Sequence, residues 1–364
     1  MASIAPAKRL RGRVSTENGV VKTSPRSITI IGGGIGGLTL AAALDPRRFE
    51  VRLLEADPRR RQYGACVGLW RSARRALRRL GARGALPGAT GGFPALATLH
   101  DIHGRPLTRV PGLDLHIVER PRLLAAIESV VPASVEQRTV TVADPAMVEG
   151  DLVIGADGVR SVVRPLVFAR AAERIETPYV ALRGITEATD IDELGEYWGP
   201  GLLFGLAPMA DGRSYWFSTH RSTLGPEPLD ADVVADEARA VFAGATPVAR
   251  RILETAGHST GTIATRMWLT PPMPRYVNGR YVVLGDAAHA GLPNLGRGAC
   301  DAILDAVTLA RTLNAGGSLT AWQARRLPFT QGARVAASGV MRMALLDTGH
   351  TARDTAMSVI GRVL

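Results

Sequence analysis

Two kinds of apolar pattern divide the chain. In the first, short β-branched runs end at glycine and lead into helical spacing: Ser27-Ile-Thr-Ile-Ile31 closes on Gly32, and Leu38-Thr-Leu-Ala-Ala-Ala-Leu44 follows. A short, largely β-branched run ending at glycine is what a buried parallel strand gives. Glu50 to Leu54, Asp151 to Ile154 and Tyr281 to Leu284 repeat the pattern. In the second, apolar and polar residues alternate over short runs bounded by Gly-Pro and Asp-Gly turns, in Pro94–Val110 and Pro178–Met267. That alternation predicts an antiparallel sheet with unlike faces. Helices are expected over Leu229–Phe242, Val248–Ala256, Cys300 to about Leu313, and from Gln323 to the end. The uncharged stretch Ile28–Leu44 is shorter than the ~20 residues of a membrane span. It also holds five glycines, so it reads as strand, turn and helix.

Chemistry enters at the first turn. Gly32-Gly-Gly34-Ile-Gly36-Gly37 fits G-x-G-x-x-G, in which Gly32 makes the tight turn and Gly34 lets a pyrophosphate approach the backbone. Gly36 belongs to the same turn, and Gly37 lets helix and strand pack closely. The helix N-terminus offers free N–H groups to the phosphates. Glu55, ending the second strand, is placed to accept hydrogen bonds from a ribose diol, which suits FAD or NAD. Two later strand ends carry acids. One is Gly155-Ala-Asp157-Gly158 with Ser161 and Arg164. The other is Gly285-Asp286-Ala-Ala-His289, followed by Pro293, Gly296, Arg297 and Gly298. Asp286 can bond a ribityl or ribose hydroxyl. The Gly-Arg-Gly turn at a helix start would stabilise negative charge on a ligand beside it.

These three motifs, in this order, resemble those of the FAD-dependent aromatic hydroxylases, the group A flavoprotein monooxygenases related to p-hydroxybenzoate hydroxylase. The resemblance spans most of residues 27–330. Gly64-Ala65-Cys66-Val-Gly-Leu-Trp70 is similar to the family's loop beside the flavin, and Arg120-Pro-Arg-Leu123 to a helix start whose arginine reaches the FAD phosphates. The resemblance implies an α/β fold: a Rossmann-type FAD-binding domain with a parallel sheet, interleaved with an antiparallel-sheet substrate domain, and C-terminal helices. The expected division is a disordered basic extension over 1–25; an FAD-binding domain from 26–92, 111–175 and 270–330; a substrate sheet from 93–110 and 176–269; and helices over 331–364. It further implies a single-component enzyme in which transient NAD(P)H reduces FAD. Oxygen then reacts at flavin C4a to a hydroperoxide that hydroxylates or epoxidises a small aromatic or polyketide-like molecule. Asp157 and Gly158 resemble the segment linked to both FAD and NAD(P)H, and Pro293 should lie near the C4a face. Because one face of the substrate sheet should meet the flavin, Arg183, Tyr215 and His220 are the candidate catalytic side chains, with Trp216 beside them. His289 reads as a loop anchor.

The chain departs from the family pattern at Ala290, usually Pro; Arg297, usually Gln, which would set a cation near the pyrimidine edge; Cys300, often Asn; and Arg71-Ser72, often Pro-Asn. Residues 135–152 leave room for one strand where relatives carry a three-stranded meander. A halogenase is disfavoured, since neither W-x-W-x-I-P nor any lysine beyond Lys22 is present. The alternatives kept are a reductase or cyclase of the geranylgeranyl-reductase type and a catalytically silent FAD-binding partner protein.

Composition changes the picture little. With 46% hydrophobic and 21% charged residues in 364, the chain is globular rather than disordered. Cys66 and Cys300 alone cannot form a disulfide framework, and a cytoplasmic setting is expected. The net charge of +11 is almost all arginine, but the arginines are scattered and aromatics reach only 5%, so nucleic acid is not expected. The arginine excess suggests an anionic ligand beyond FAD, either NADPH or a substrate on an acidic carrier protein. His100 and His103 lack further ligands for a metal. A monomer or homodimer acting on a small molecule and O2, with no membrane span, completes the reading.

Overall fold

The computed structural model describes residues 14–17, 20–23, 26–59, 64–84, 96–111, 114–187, 189–190, 193–225 and 227–363. Within the expected basic extension, β1 (Val14–Glu17) pairs antiparallel with β2 (Val20–Thr23), so these residues form a ladder where none was foreseen. The rest of that segment lies outside the described residues.

The chain then makes β3 (Arg26–Ile31), α1 (Ile35–Ala43), β4 (Phe49–Glu55), β5 (Cys66–Trp70), α2 (Arg71–Leu80), β6 (Leu96–Asp101), β7 (Pro106–Pro111), β8 (Leu115–Glu119), α3 (Arg120–Glu128), β9 (Glu136–Thr139), β10 (Leu152–Gly155) and α4 (Arg164–Val167). There follow β11 (Ile175–Thr186), β12 (Gly195–Gly199), β13 (Leu202–Pro208), β14 (Ser214–Arg221), α5 (Ala231–Val241), α6 (Pro247–Thr255) and β15 (Ile263–Leu269). The last elements are β16 (Val277–Asn278), β17 (Tyr281–Val283), α7 (Asp286–His289), α8 (Gly298–Asn314), α9 (Leu319–Ala344) and α10 (His350–Val363).

A six-stranded sheet runs β16-β17-β10-β3-β4-β9, parallel throughout except for the β16–β17 edge pair. Its central strands β10 and β3 are buried on both faces, which is why their sequences are largely apolar; burying Ile28, Ile30 or Val153 contributes roughly 1.5–3 kcal/mol each. Helix α1 packs against α3 and α8 over this sheet. Helix α2, arginine-rich on its outer side, buries Ala73, Arg74 and Leu77 and stops where Gly81 takes the left-handed conformation at φ 93°. The short 135–152 segment supplies only β9, an edge strand parallel to β4.

The seven-stranded sheet runs β15-β11-β14-β13-β12-β6-β7. It is antiparallel except where β12 lies parallel to β6, because the β6–β7 hairpin is delivered from a different stretch of the chain. One face packs against α5 and α6 through Val180, Leu182, Phe204 and Trp216. The opposite, inner face packs on α9 through Ala181, Leu203, Met341 and Ala344. Helix α9 is continuous across 330–331, so the expected boundary between FAD domain and terminal helices falls inside one helix.

Candidate active site

Of the five glycines in the first turn, Gly32, Gly36 and Gly37 are spacing residues. A Cβ at Gly32, whose φ is 102°, would sit 2.4 Å from the Ala156 carbonyl oxygen, and one at Gly37 would sit 1.9 Å from the Gly32 oxygen. Gly36 is crowded by the Leu284 side chain, which ties this turn to the strand of the third motif. Gly34 differs: at the N-cap of α1, a Cβ there meets nothing within 4 Å, so the backbone borders open space. That gap beside unpaired helix N–H groups fits a pyrophosphate. Glu55 Oε2 accepts from the Gly33 N–H at 2.5 Å and Oε1 from the Asp57 N–H at 2.8 Å, so the acid is fixed at the strand end. Beside it Leu53, Gln137, Arg138 and Thr139 enclose about 70 Å³. The sequence reading missed these last three, because an edge strand of polar residues looks like a solvated surface.

The second and third motifs meet across the β10–β17 pair, where the Leu284 N–H donates to the Gly155 oxygen at 3.0 Å. Their acids, Asp157 and Asp286, line one cleft of about 440 Å³ together with Pro293 and Arg183. Asp157 Oδ2 accepts from the Val162 N–H at 2.8 Å, while Oδ1 is buried without a partner. Burial pushes the Asp157 carboxyl up. Asp286 keeps surface open to the cleft although protein encloses it, and that enclosure pushes its carboxyl up against the pull of His289 and Arg120. Arg120 N–H donates to the Ala65 oxygen at 3.0 Å, and a Cβ at Gly64 would strike its side chain, so the Gly64–Cys66 loop and Arg120 are one unit. Gly158 is open, with φ 74° and nothing within 4 Å of an added Cβ. An orphaned carboxylate oxygen, an open glycine and a helix start around one cleft fit FAD.

Behind the third motif lies a buried charge network. His289 Nε2 and Asp305 Oδ2 are 2.6 Å apart; the same oxygen accepts from the Gly285 N–H at 3.0 Å, and Oδ1 accepts from Arg326 Nε at 2.6 Å. Burial alone would lower the imidazole, but Asp305, with Asp301 and Asp286, raises it. Asp305 is likewise opposed by burial and is held low by His289 and Arg326. His289 is thus an anchor for the Gly285–Asp286 turn. Cys300, on α8, accepts from the Trp70 N–H at 3.3 Å and donates to the Gly68 oxygen at 3.3 Å, fastening β5 to α8; burial raises its thiol to about 11. Gly296 and Gly298 flank the start of α8, with the Trp70 indole N–H donating to the Leu295 oxygen at 3.1 Å. Arg297 departs from expectation. Its guanidinium is drawn back onto Asp301 at 2.9 Å and over the Phe329 ring, so its backbone, not its charge, heads α8.

On the inner sheet face Arg183 reaches the cleft and donates to Thr265 Oγ1 at 3.2 Å. Tyr215 shares this face but packs with Cys66, Met209 and Ile185, and burial pushes its phenol up to about 12. Cys66, 4.0 Å from the Met209 sulfur, is likewise pushed to about 12 by burial, and is a packing residue here. His220 and Trp216 occupy the alternate positions of β14 and face the other way. His220 lies 3.2 Å from Glu237 of α5 and edge-on to Phe242, so the structure does not bring it to the cleft. A strand reverses its side-chain direction at every residue, and the run Tyr215–His220 does not say which parity is inner. The cleft mouth adds Arg160, Arg174, Arg266, Glu227 and Trp268, which carried no sequence signal. Arg174 stacks on the Trp268 ring at 3.3 Å, and both Arg160 (2.5 Å) and Arg174 (3.3 Å) pair with Glu227.

Comparison with known proteins agrees with this geometry. Residues 128–343 match the model of an FAD binding domain, and residues 30–70 that of an NAD(P)-binding Rossmann-like domain. The chain is 32% identical over 324 residues to an aurachin C monooxygenase/isomerase of Stigmatella aurantiaca, covering 82% of this chain and 83% of the relative. It is 33% identical over 318 residues to a 3-amino-4-hydroxybenzoate 2-monooxygenase of Streptomyces cremeus, covering 79% and 78%. Among solved structures, Klebsiella pneumoniae HpxO complexed with FAD and uric acid superimposes with a TM-score of 0.77 at 24% identity, covering 93% of both chains.

Proposed function

Since the chain belongs to the FAD-dependent aromatic hydroxylases, the group A flavoprotein monooxygenases, we propose that it uses NAD(P)H and O2 to hydroxylate a small, electron-rich aromatic molecule. The observation that carries this reading is the meeting of Asp157, Asp286, Pro293 and Arg183 in one cleft next to the open Gly34 turn. Gly34 and the start of α1 would hold the pyrophosphate, Glu55 the adenosine ribose, and Asp286 with Arg120 the ribityl-phosphate arm. Bound FAD supplies two-electron chemistry with NAD(P)H and the activation of O2. The protein's own part is placement and exclusion. The start of α8 turns unpaired N–H groups and positive dipole toward the anionic edge of the ring. Pro293 borders the reacting face, and Leu292 and Met267 keep water from it. The arginine-rich mouth, Arg160 and Arg174 around Glu227, suits the phosphates of a transient dinucleotide.

Relatives named for 3-amino-4-hydroxybenzoate, urate and 2-heptyl-3-hydroxy-4(1H)-quinolone support an aromatic or heteroaromatic substrate. Anaerobic mixing with NADH or NADPH should bleach the flavin, and aerobic turnover should place an atom of labelled O2 in the product. A flavin that neither reductant bleaches would overturn the reading.

A further inference from the structure

Cross-strand register lines up one row on the inner face of the seven-stranded sheet: Leu99, Glu196, Gly205, Phe217, Arg183 and Ile263. The rows on either side are filled. Leu203 and Ala181 pack with Met341 of α9, and Ala207 and Tyr215 pack with Ile117 of β8. The row between is built otherwise. A Cβ at Gly205 would sit 2.2 Å from Phe217 Cζ, so the Phe217 ring lies over the glycine as a floor. One end of that floor is Arg183, which opens on the cleft; the other is Glu196. Glu196 Oε2 accepts from Trp198 Nε1 at 2.8 Å, and its second oxygen has no hydrogen bond among the described residues. The side chain keeps accessible surface although protein surrounds it. A half-buried carboxyl oxygen that keeps accessible surface and has no protein partner among the described residues is available to a ligand atom.

We propose that Glu196 is a substrate-recognition residue which, with Arg183, grips the two ends of a planar system of one or two fused rings laid over Phe217. The carboxyl donates to a ring carbonyl or ring nitrogen, and the guanidinium takes an anionic oxygen. This rests on the oxygenase reading above and names its substrate class. Burial favours the protonated, donating form of Glu196. Three strand spacings, about 14 Å, separate the two backbone positions. Both positions lie on the inner face, in line with Phe217 between them.

The test is titration of the FAD-loaded enzyme, followed by flavin absorbance, with 4-hydroxyquinoline-2-carboxylate and with 2-naphthoate, which lacks the inner acceptor. The quinoline should bind about tenfold more tightly, the worth of one buried hydrogen bond. Glu196→Leu should abolish that advantage and leave 2-naphthoate binding and FAD content unchanged. Glu196→Gln, which still donates and still accepts from Trp198, should restore it to within about threefold. Equal binding of the two probes by the native enzyme, an unaltered preference in Glu196→Leu, or no spectral response to either probe would each overturn the assignment. Binding is read without turnover, so a flavin that NAD(P)H fails to bleach would sink the oxygenase reading separately.

Discussion

In the six-stranded sheet, the groups that would meet the cofactor are backbone N–H groups, open glycines and three carboxylates, Glu55, Asp157 and Asp286, all at strand ends. In the seven-stranded sheet, the groups that meet the cleft are side chains in strand interiors, hung on alternate positions of a surface that is otherwise packing. The first region is a template with almost no tolerance: a Cβ added at Gly32 or Gly37 would lie 2.4 or 1.9 Å from a backbone oxygen. The second is a frame whose inner face can be re-dressed residue by residue without disturbing the ladder. Such a division lets one cofactor cradle serve many substrates.

The sharpest way to break the comparison is at Gly37. Valine there collides with the Gly32 carbonyl, so Gly37→Val should yield no FAD-loaded folded protein, judged by flavin absorbance and far-UV circular dichroism. Gly34→Ala should keep the native dichroism and lose FAD affinity by about tenfold or more, because only the ligand contests that space. Native dichroism with full FAD loading in Gly37→Val would dissolve the distinction.

Next comes the network behind the turn. Asp305→Ala leaves His289 buried without its carboxylate and Arg326 with only Asp301 at 3.5 Å, and should cost about 3–5 kcal/mol in urea denaturation of the holoenzyme. The same pair sets a pH window. Asp305 is held below the ordinary carboxylate range, so its contribution is present above about pH 3.9 and disappears as pH falls through the lower folded value. His289 is held above the ordinary imidazole range, so its contribution is complete below about pH 6.5 and disappears as pH rises through the higher folded value. Stability should therefore decline on both sides of that window, and Asp305→Asn should flatten both limbs.

Smaller effects sharpen the picture of the second sheet. His220→Ala, on the face toward α5, should cost about 1 kcal/mol and leave FAD affinity and substrate KM unchanged. A raised KM would place it on the wrong face. The smallest effect is expected at Arg297. Its side chain already lies on Asp301 and Phe329, so Arg297→Gln should shift the FAD dissociation constant by less than about threefold.

The pattern of the chain was enough to foresee the parallel sheet and the turns at its strand ends. G-x-G-x-x-G, Glu55, Asp157 and Asp286 are legible because backbone approach to a phosphate or a sugar demands glycine or a short acid at a strand end, and those demands recur at fixed spacing. It was also enough to see an antiparallel sheet, with its alternation and its turns. Which parity of β14 faces inward was decided by packing against α5 and α6, and that choice separated Tyr215 from His220. Folding likewise drew Arg297 back onto α8, gathered Arg160 and Arg174 around Glu227, and set Glu196 in line with Arg183 across three strand spacings. Contacts between residues so far apart in the chain leave no periodic trace in either segment. They exist only once strand register and helix packing have brought the segments together.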